Sequence, residues 1–382
     1  MATQQTDLLI IGAGPYGLAM AAHATHLGID HLIVGEPMSF WRAHMPAGML
    51  LRSATDWHLD PANLDTIEAY LASRGEPSDA QPLSLDLYLD YAAWFQRQKG
   101  IESIPEHVHV LRRRPDRTFL ASLSRGDSIA SRRVVIALGF GAFRHVPDEL
   151  ATILPEGSFG HTRDEVDFTP LAGKRVLIIG GRQSAYEWAA LLREAGSADV
   201  TISHRHAAPA FAESDWSWVV PMVDLMADDP GWYRRLDPAS KESIVDRLYA
   251  EGRLKVEPWL QPRVERDGIH VVPETRLVRC GITGESDYLV TFDDHRTISV
   301  DRVILATGYK VEIDRLPFLA AGNILPNVRT SDGFPELDER FQTSVPGLFI
   351  TSMPATRDFG PFFAFTIAAR MSARVIGAAL TR

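Results

Sequence analysis

Three glycines, Gly12, Gly14 and Gly17, and a second turn, Gly180-Gly181-Arg182-Gln183-Ser184-Ala185, have the types and spacing to hold the phosphates of two dinucleotides. In a G-x-G-x-x-G turn the first glycine permits the tight bend and the second lets a pyrophosphate approach the backbone. The third brings the helix close to its strand, and the free N–H groups at the helix start meet the phosphate charge. No H-E-x-x-H, nucleophile elbow or cluster of metal ligands occurs, so hydrolase and metalloenzyme chemistry have no support.

The elements that must position these turns are legible around them. The apolar run Leu8 to Ile11 enters the first turn, an alanine-rich helix leaves it, and a second strand follows at His31 to Val34. The strand Arg175 to Ile179 feeds the second turn, with a helix through Leu191 and Leu192. Arg133 to Gly139 and Val303 to Tyr309 read as buried strands ending in glycine turns, where the chain returns between domains. Gly347 to Thr351 reads as a short strand, and Phe362 to Leu380 as a helix begun by Gly360 and Pro361. The tryptophan-rich stretch 211–262 is expected to be a helical insertion covering a cleft.

Composition narrows the function. A chain of 382 residues is expected to form two domains. A formal charge of -10 disfavours nucleic acid or an anionic membrane as partner. Cys280 is the only cysteine, which excludes an intramolecular disulfide and dithiol reductase chemistry. The N-terminal stretch lacks a basic region, and no segment reaches the ~20 apolar residues of a membrane span, so a cytoplasmic protein is expected.

The paired turns, Phe40-Trp41-Arg42, and Ala306-Thr307-Gly308-Tyr309 together resemble the class B flavin-dependent monooxygenases, which include flavin-containing, N-hydroxylating and Baeyer-Villiger enzymes. The resemblance implies an α/β fold with two Rossmann-like domains arranged as in glutathione reductase. FAD would occupy the first motif and NADPH the second. It places the FAD domain at 1–165 and again at 311–382, with the NADPH domain at 166–310.

Carried over residue by residue, Gly12, Gly14 and Gly17 would hold the FAD pyrophosphate, with Trp41, Arg42, Thr307 and Gly308 lining the cofactors. Gly360, Pro361 and Phe362 would start a helix beside the isoalloxazine, whose anionic reduced form that helix end would stabilise. Gly180, Gln183, Ser184 and Ala185 would hold the NADPH pyrophosphate. In the segment from Gly48 to His58, Arg52 could stabilise a flavin peroxide or a carboxylate substrate, and His58 could move a proton. The competing readings pair Arg52 with Asp56 and make His58 structural.

This chain departs from the family pattern in four ways. The acidic residue expected at the end of the second strand falls on Gly35, with Glu36 one place later. Arg182 replaces the middle glycine of the second turn, so its side chain must turn away or bind the phosphate itself. Of the fingerprint Phe-x-Gly-x-x-x-His, Gly157 and His161 are present but Pro155 replaces the phenylalanine, which argues against a strict Baeyer-Villiger enzyme. The chain is also shorter than most of the family. After the strand Asp199 to Ser203 come His204 and Arg205, and a guanidinium there suits the 2′-phosphate of NADPH over NADH.

The expected activity is oxygenation of a small molecule at nitrogen or sulfur, through a C4a-peroxyflavin formed from FAD, NADPH and O2. Two alternatives are a flavin-dependent reductase serving a protein partner and a non-catalytic nucleotide-binding protein. Trp216-Ser217-Trp218-Val219-Val220-Pro221 also resembles a halogenase signature, but the first lysine is Lys99 and an aromatic wall is the simpler reading.

Overall fold

A computed structural model describes residues 3–78, 81–284 and 286–381. Strand β1 (Thr3–Ile11) runs through Gly12 into helix α1 (Pro15–His26). β1 lies parallel to β2 (His31–Val34) on one side and to β3 (Ser128–Ile136) on the other. β1 is apolar without alternation from Leu8 to Ile11, the pattern of a parallel strand covered on both faces. Strands Val108–Arg113 and Phe119–Leu123 extend the sheet antiparallel beyond β3.

The second sheet repeats the plan. β4 (Arg175–Ile179) enters the second turn and helix α2 (Gln183–Glu194) leaves it. β4 is parallel to β5 (Asp199–Ser203) and to β6 (Arg302–Leu305). A further parallel strand, Phe159–His161, pairs with β6, so the chain enters this sheet ahead of the expected boundary at residue 165. β3 and β6 are thus the two return strands expected from the sequence.

The closing strand β7 (Leu348–Ile350) pairs in parallel with β3 and completes the first sheet, and α3 (Ala369–Leu380) packs against α1. Here the expectation of one helix from Phe362 fails. Two 3₁₀ turns, Pro361–Ala364 and Thr366–Ala368, come first, separated by an extended Phe365. Their backbone is held elsewhere: the Tyr16 hydroxyl donates to the carbonyls of Phe363 at 3.0 Å and Phe365 at 2.7 Å. Phe363 and Phe359 are buried against Phe341, and that packing fixes the kinked path.

The tryptophan-rich stretch is helical, with segments including Val219–Asp224, Trp232–Arg235, Pro238–Leu248 and a π-turn at Tyr249–Arg253. It belongs to two cores. Trp218, Val219, Val223, Met226 and Leu248 join the core of the first sheet, whereas Val256, Leu260 and Val264 join that of the second. The insertion is therefore a strap between the two nucleotide folds. No helix among the described residues is long and apolar enough to cross a membrane.

Candidate active site

The first turn is built by close packing at two glycines and by open space at the third. A Cβ at Gly12, whose φ is +108°, would lie 2.6 Å from the Ala137 carbonyl oxygen, and one at Gly17 would lie 1.8 Å from that of Gly12. At Gly14, the cap of α1, a Cβ would meet nothing within 4 Å. That open cradle at a helix N-terminus fits a diphosphate. Gly35 has φ +142°, and its Cβ would come 3.0 Å from the Ala13 nitrogen. A longer residue there would strain the glycine turn. Glu36 beside it is exposed, Trp41 packs on Tyr88 with ring centroids 4.8 Å apart, and Arg42 is exposed.

The second turn mirrors the first. Gly180 has φ +148°, and its Cβ would lie 2.5 Å from the Ala306 carbonyl oxygen on the return strand. Gly181 leaves no room for a side chain over the stacked His204 and His206 rings, whose centroids are 4.4 Å apart. His204 is buried, with Nδ1 2.8 Å from the His206 carbonyl oxygen and Nε2 3.3 Å from the Tyr186 hydroxyl. Burial lowers its pKa and keeps it neutral. It is a packing residue under the turn, unlike the exposed Arg205. Ser184 is exposed in the first turn of α2, whereas Ala185 is buried.

Arg182 reaches from its loop to the strap. Its guanidinium lies over the Tyr249 ring at 5.5 Å, and Nη1 donates to the Arg253 carbonyl at 3.3 Å. Gln183 is also bound to the strap, its Oε1 accepting from the Glu257 backbone N–H at 3.0 Å. One turn on, Glu187 is fully buried and accepts from the Leu50 N–H and from Arg263 Nη1, both at 3.3 Å. Burial raises its pKa, opposed by the Arg263 charge.

Arg52 is committed to the strap and does not pair with Asp56. Its Nε donates to Glu257 at 2.8 Å, and its Nη2 donates to Ser214 and, at 2.7 Å, to the Gly252 carbonyl. Its guanidinium also faces Trp216 at 5.3 Å. The expected pair with Asp56 is replaced by one with Glu257.

His58 is buried, and its Nε2 lies 2.6 Å from Nη1 of Arg370 on α3. Burial, reinforced by the Arg370 charge, pushes its pKa down to about 3. An imidazole held neutral by burial and a guanidinium is poorly placed to carry protons at neutral pH.

The strap walls the 3₁₀ segment that leads into α3. Trp216 packs on Trp57 and Phe365 at 5.9 and 5.5 Å, and Trp218 on Phe362 at 5.7 Å. Gly360 has φ +100°, Pro361 opens the first 3₁₀ turn, and Phe362 is buried. Phe362, in the predicted start at residues 360–362, thus meets the wall at Trp218, and Phe365 meets it at Trp216. The Thr307 hydroxyl donates to the His145 carbonyl at 2.5 Å, and the Gly308 carbonyl accepts from the His145 N–H and from His161 Nε2. These two residues therefore join the linkers between the sheets. At the end of β7 the Thr351 hydroxyl is buried with no hydrogen-bond partner among the described residues.

Sequence reasoning did not single out Glu187, Glu257, Arg253 or Arg370. Glu187 did leave a signal, since it is the one charged residue in the run Gln183 to Leu192 of α2. The other three act through contacts remote in sequence.

Models of the pyridine nucleotide-disulphide oxidoreductase family match residues 9–226 and 237–351. A ferredoxin–NADP reductase of Thermus thermophilus is 25% identical over 355 residues, covering 91% of this chain and 84% of that protein. The ornithine N-hydroxylase of Kutzneria sp. 744, solved with reduced FAD, NADP+ and L-ornithine, superimposes with a TM-score of 0.80 at 16% identity, over 99% of both chains. A flavin-containing monooxygenase from Stenotrophomonas maltophilia gives a TM-score of 0.70 at 19% identity, over 99% of this chain and 98% of its own. With two Rossmann-like sheets in the architecture of these flavoproteins and a family match over more than half its length, the chain belongs to the pyridine nucleotide-disulphide oxidoreductase family.

Proposed function

We propose that the chain is an FAD-dependent, NADPH-using monooxygenase that oxygenates a small molecule, at nitrogen or sulfur. The observation that carries this reading is the strap. Trp216 and Trp218 cover Phe365 and Phe362 in the 3₁₀ segment that leads into α3, and Arg52, Gln183 and Glu257 tie that cover to both nucleotide folds. A monooxygenase needs such a closed, water-poor space between its two cofactors, whereas electron delivery to a protein needs an exposed flavin edge. The solitary Cys280 leaves no dithiol pair for disulfide chemistry.

Bound FAD, reduced by NADPH, supplies oxygen activated from O2. The protein binds, orients and excludes water. Gly12, Gly14 and Gly17 admit the FAD diphosphate to the N-terminus of α1, and Gly180, Ser184 and Ala185 do the same for NADPH at α2. Arg205 meets the 2′-phosphate. Arg52 and His58 are positioning residues that fix the strap and α3. For an amine, one O2, one NADPH and one proton yield the hydroxylamine, water and NADP+.

The test measures NADPH and O2 consumption against oxygenated product over a panel of amines and sulfides. One-to-one coupling with little hydrogen peroxide is the expected result. The sequence relative from Thermus thermophilus favours a second reading, a reductase that passes electrons to ferredoxin. Faster reduction of ferredoxin than of O2, with no oxygenated product, would establish that reading instead.

A further inference from the structure

Arg182 and Arg253 lie together at the junction of the second turn and the strap, and neither forms an ion pair among the described residues. Both guanidiniums lie by one ring, that of Tyr249, at 5.5 and 5.7 Å. Arg253 also covers Phe365, at 5.2 Å, on the residue leading into the second 3₁₀ turn. Burial lowers the pKa of Arg182, Tyr249 opposes that, and the Arg253 charge adds to the lowering. Two half-buried guanidiniums beside one ring carry like charge, and cation-π contact with that ring offsets only part of their repulsion.

An anion between them would remove the conflict, and the location says which. Arg182 is the cap residue of α2, within the turn where a dinucleotide diphosphate meets helix N–H groups. Arg253 approaches from the strap, and its carbonyl already accepts from Arg182 Nη1.

We infer that Arg182 and Arg253 form a clamp on the diphosphate of the nicotinamide nucleotide, so that binding the nucleotide fastens the strap over the cleft. This rests on the second motif being the nicotinamide site. It explains why an arginine stands where a glycine is usual: the loop trades backbone approach for a side chain that reaches the phosphates from the strap side. A guanidinium suits this role because it can hold two phosphate oxygens at once.

The clamp acts on the diphosphate, which NADP+ and NAD+ share, so its signature differs from that of Arg205. Binding of NADP+ and NAD+ to the purified FAD-loaded protein is measured by calorimetry for the wild type, Arg253→Met and Arg182→Gly. Methionine keeps an apolar stem on Phe365, and the folded state is checked by flavin content and thermal melting. The expected result is a weakening of about tenfold for both nucleotides in each variant. The salt dependence of binding should also become shallower. Unchanged affinity in Arg253→Met, or tighter binding in Arg182→Gly, would overturn the clamp, the latter by showing that Arg182 only obstructs the loop. Failure of the wild type to bind either nucleotide would overturn both the clamp and the reading of the second motif.

Discussion

Arg52 and Glu257 form a 2.8 Å ion pair that joins the segment after the first two strands to the far end of the strap, across more than two hundred residues of chain. Both side chains are largely buried, and Ser214 bridges them through its own hydrogen bond to Glu257 at 2.5 Å.

Removing one partner of such a pair strands the other charge. Arg52→Ala should lower stability by about 2–4 kcal/mol, read as a fall in the urea midpoint. Arg52→Lys should regain only part of it, because an ammonium cannot reproduce the fork that serves Glu257, Ser214 and Gly252 together. Unaltered stability in Arg52→Ala would mean that the strap is not fastened here.

The glycines of the first turn should separate folding from cofactor binding. Gly17→Ala drives a methyl into the Gly12 carbonyl and should destabilise the protein by about 1–3 kcal/mol or more. Gly14→Val meets open space, so it should fold with near-native melting yet purify without the yellow of FAD. A yellow Gly14→Val protein would place the diphosphate elsewhere.

Arg205 is exposed beyond β5 and free of partners among the described residues. Arg205→Ala should raise KM for NADPH about tenfold and leave that for NADH within twofold, since only NADPH carries the 2′-phosphate. Equal effects on both would remove the preference for NADPH.

The folded-state pKa of His58, about 3, lies below the unfolded value near 6.5. The unfolded chain therefore binds the extra proton first, and stability falls as pH drops from about 6.5 toward 3. Between pH 6.5 and 5 this one residue costs up to about 2 kcal/mol. His58→Gln can still accept from Arg370 and should flatten the dependence of melting temperature on pH across that range. An identical slope in the variant would assign acid sensitivity to other groups, of which half-buried His23 is one.

Both nucleotide folds were legible because each is local: a strand, three or four glycine-turn residues and a helix lie within thirty positions. The returns at β3 and β6 were equally readable as apolar runs ending in glycine. The path from Gly360 to Ala368 was misread, because proline at a first helical turn is a local rule and the kink is set by Tyr16, some 350 positions earlier. Arg52 shows the same limit. Asp56 was its nearest acid in sequence, whereas Glu257 reaches it only when the strap closes. Tryptophan content announced the insertion, but not that its two halves would join different cores.

The pairing of β7 with β3 bears on how the protein is made. During synthesis the first glycine turn, α1 and most of the first sheet leave the ribosome early, but β3 then lacks β7, the second of its two parallel neighbours, and α1 lacks its packing partner α3 until residues 348–380 have emerged. The second nucleotide fold and the strap are complete before that. The first nucleotide fold thus waits for the end of translation with an apolar edge open, and a truncation before Leu348 should yield insoluble protein even though both glycine turns are present.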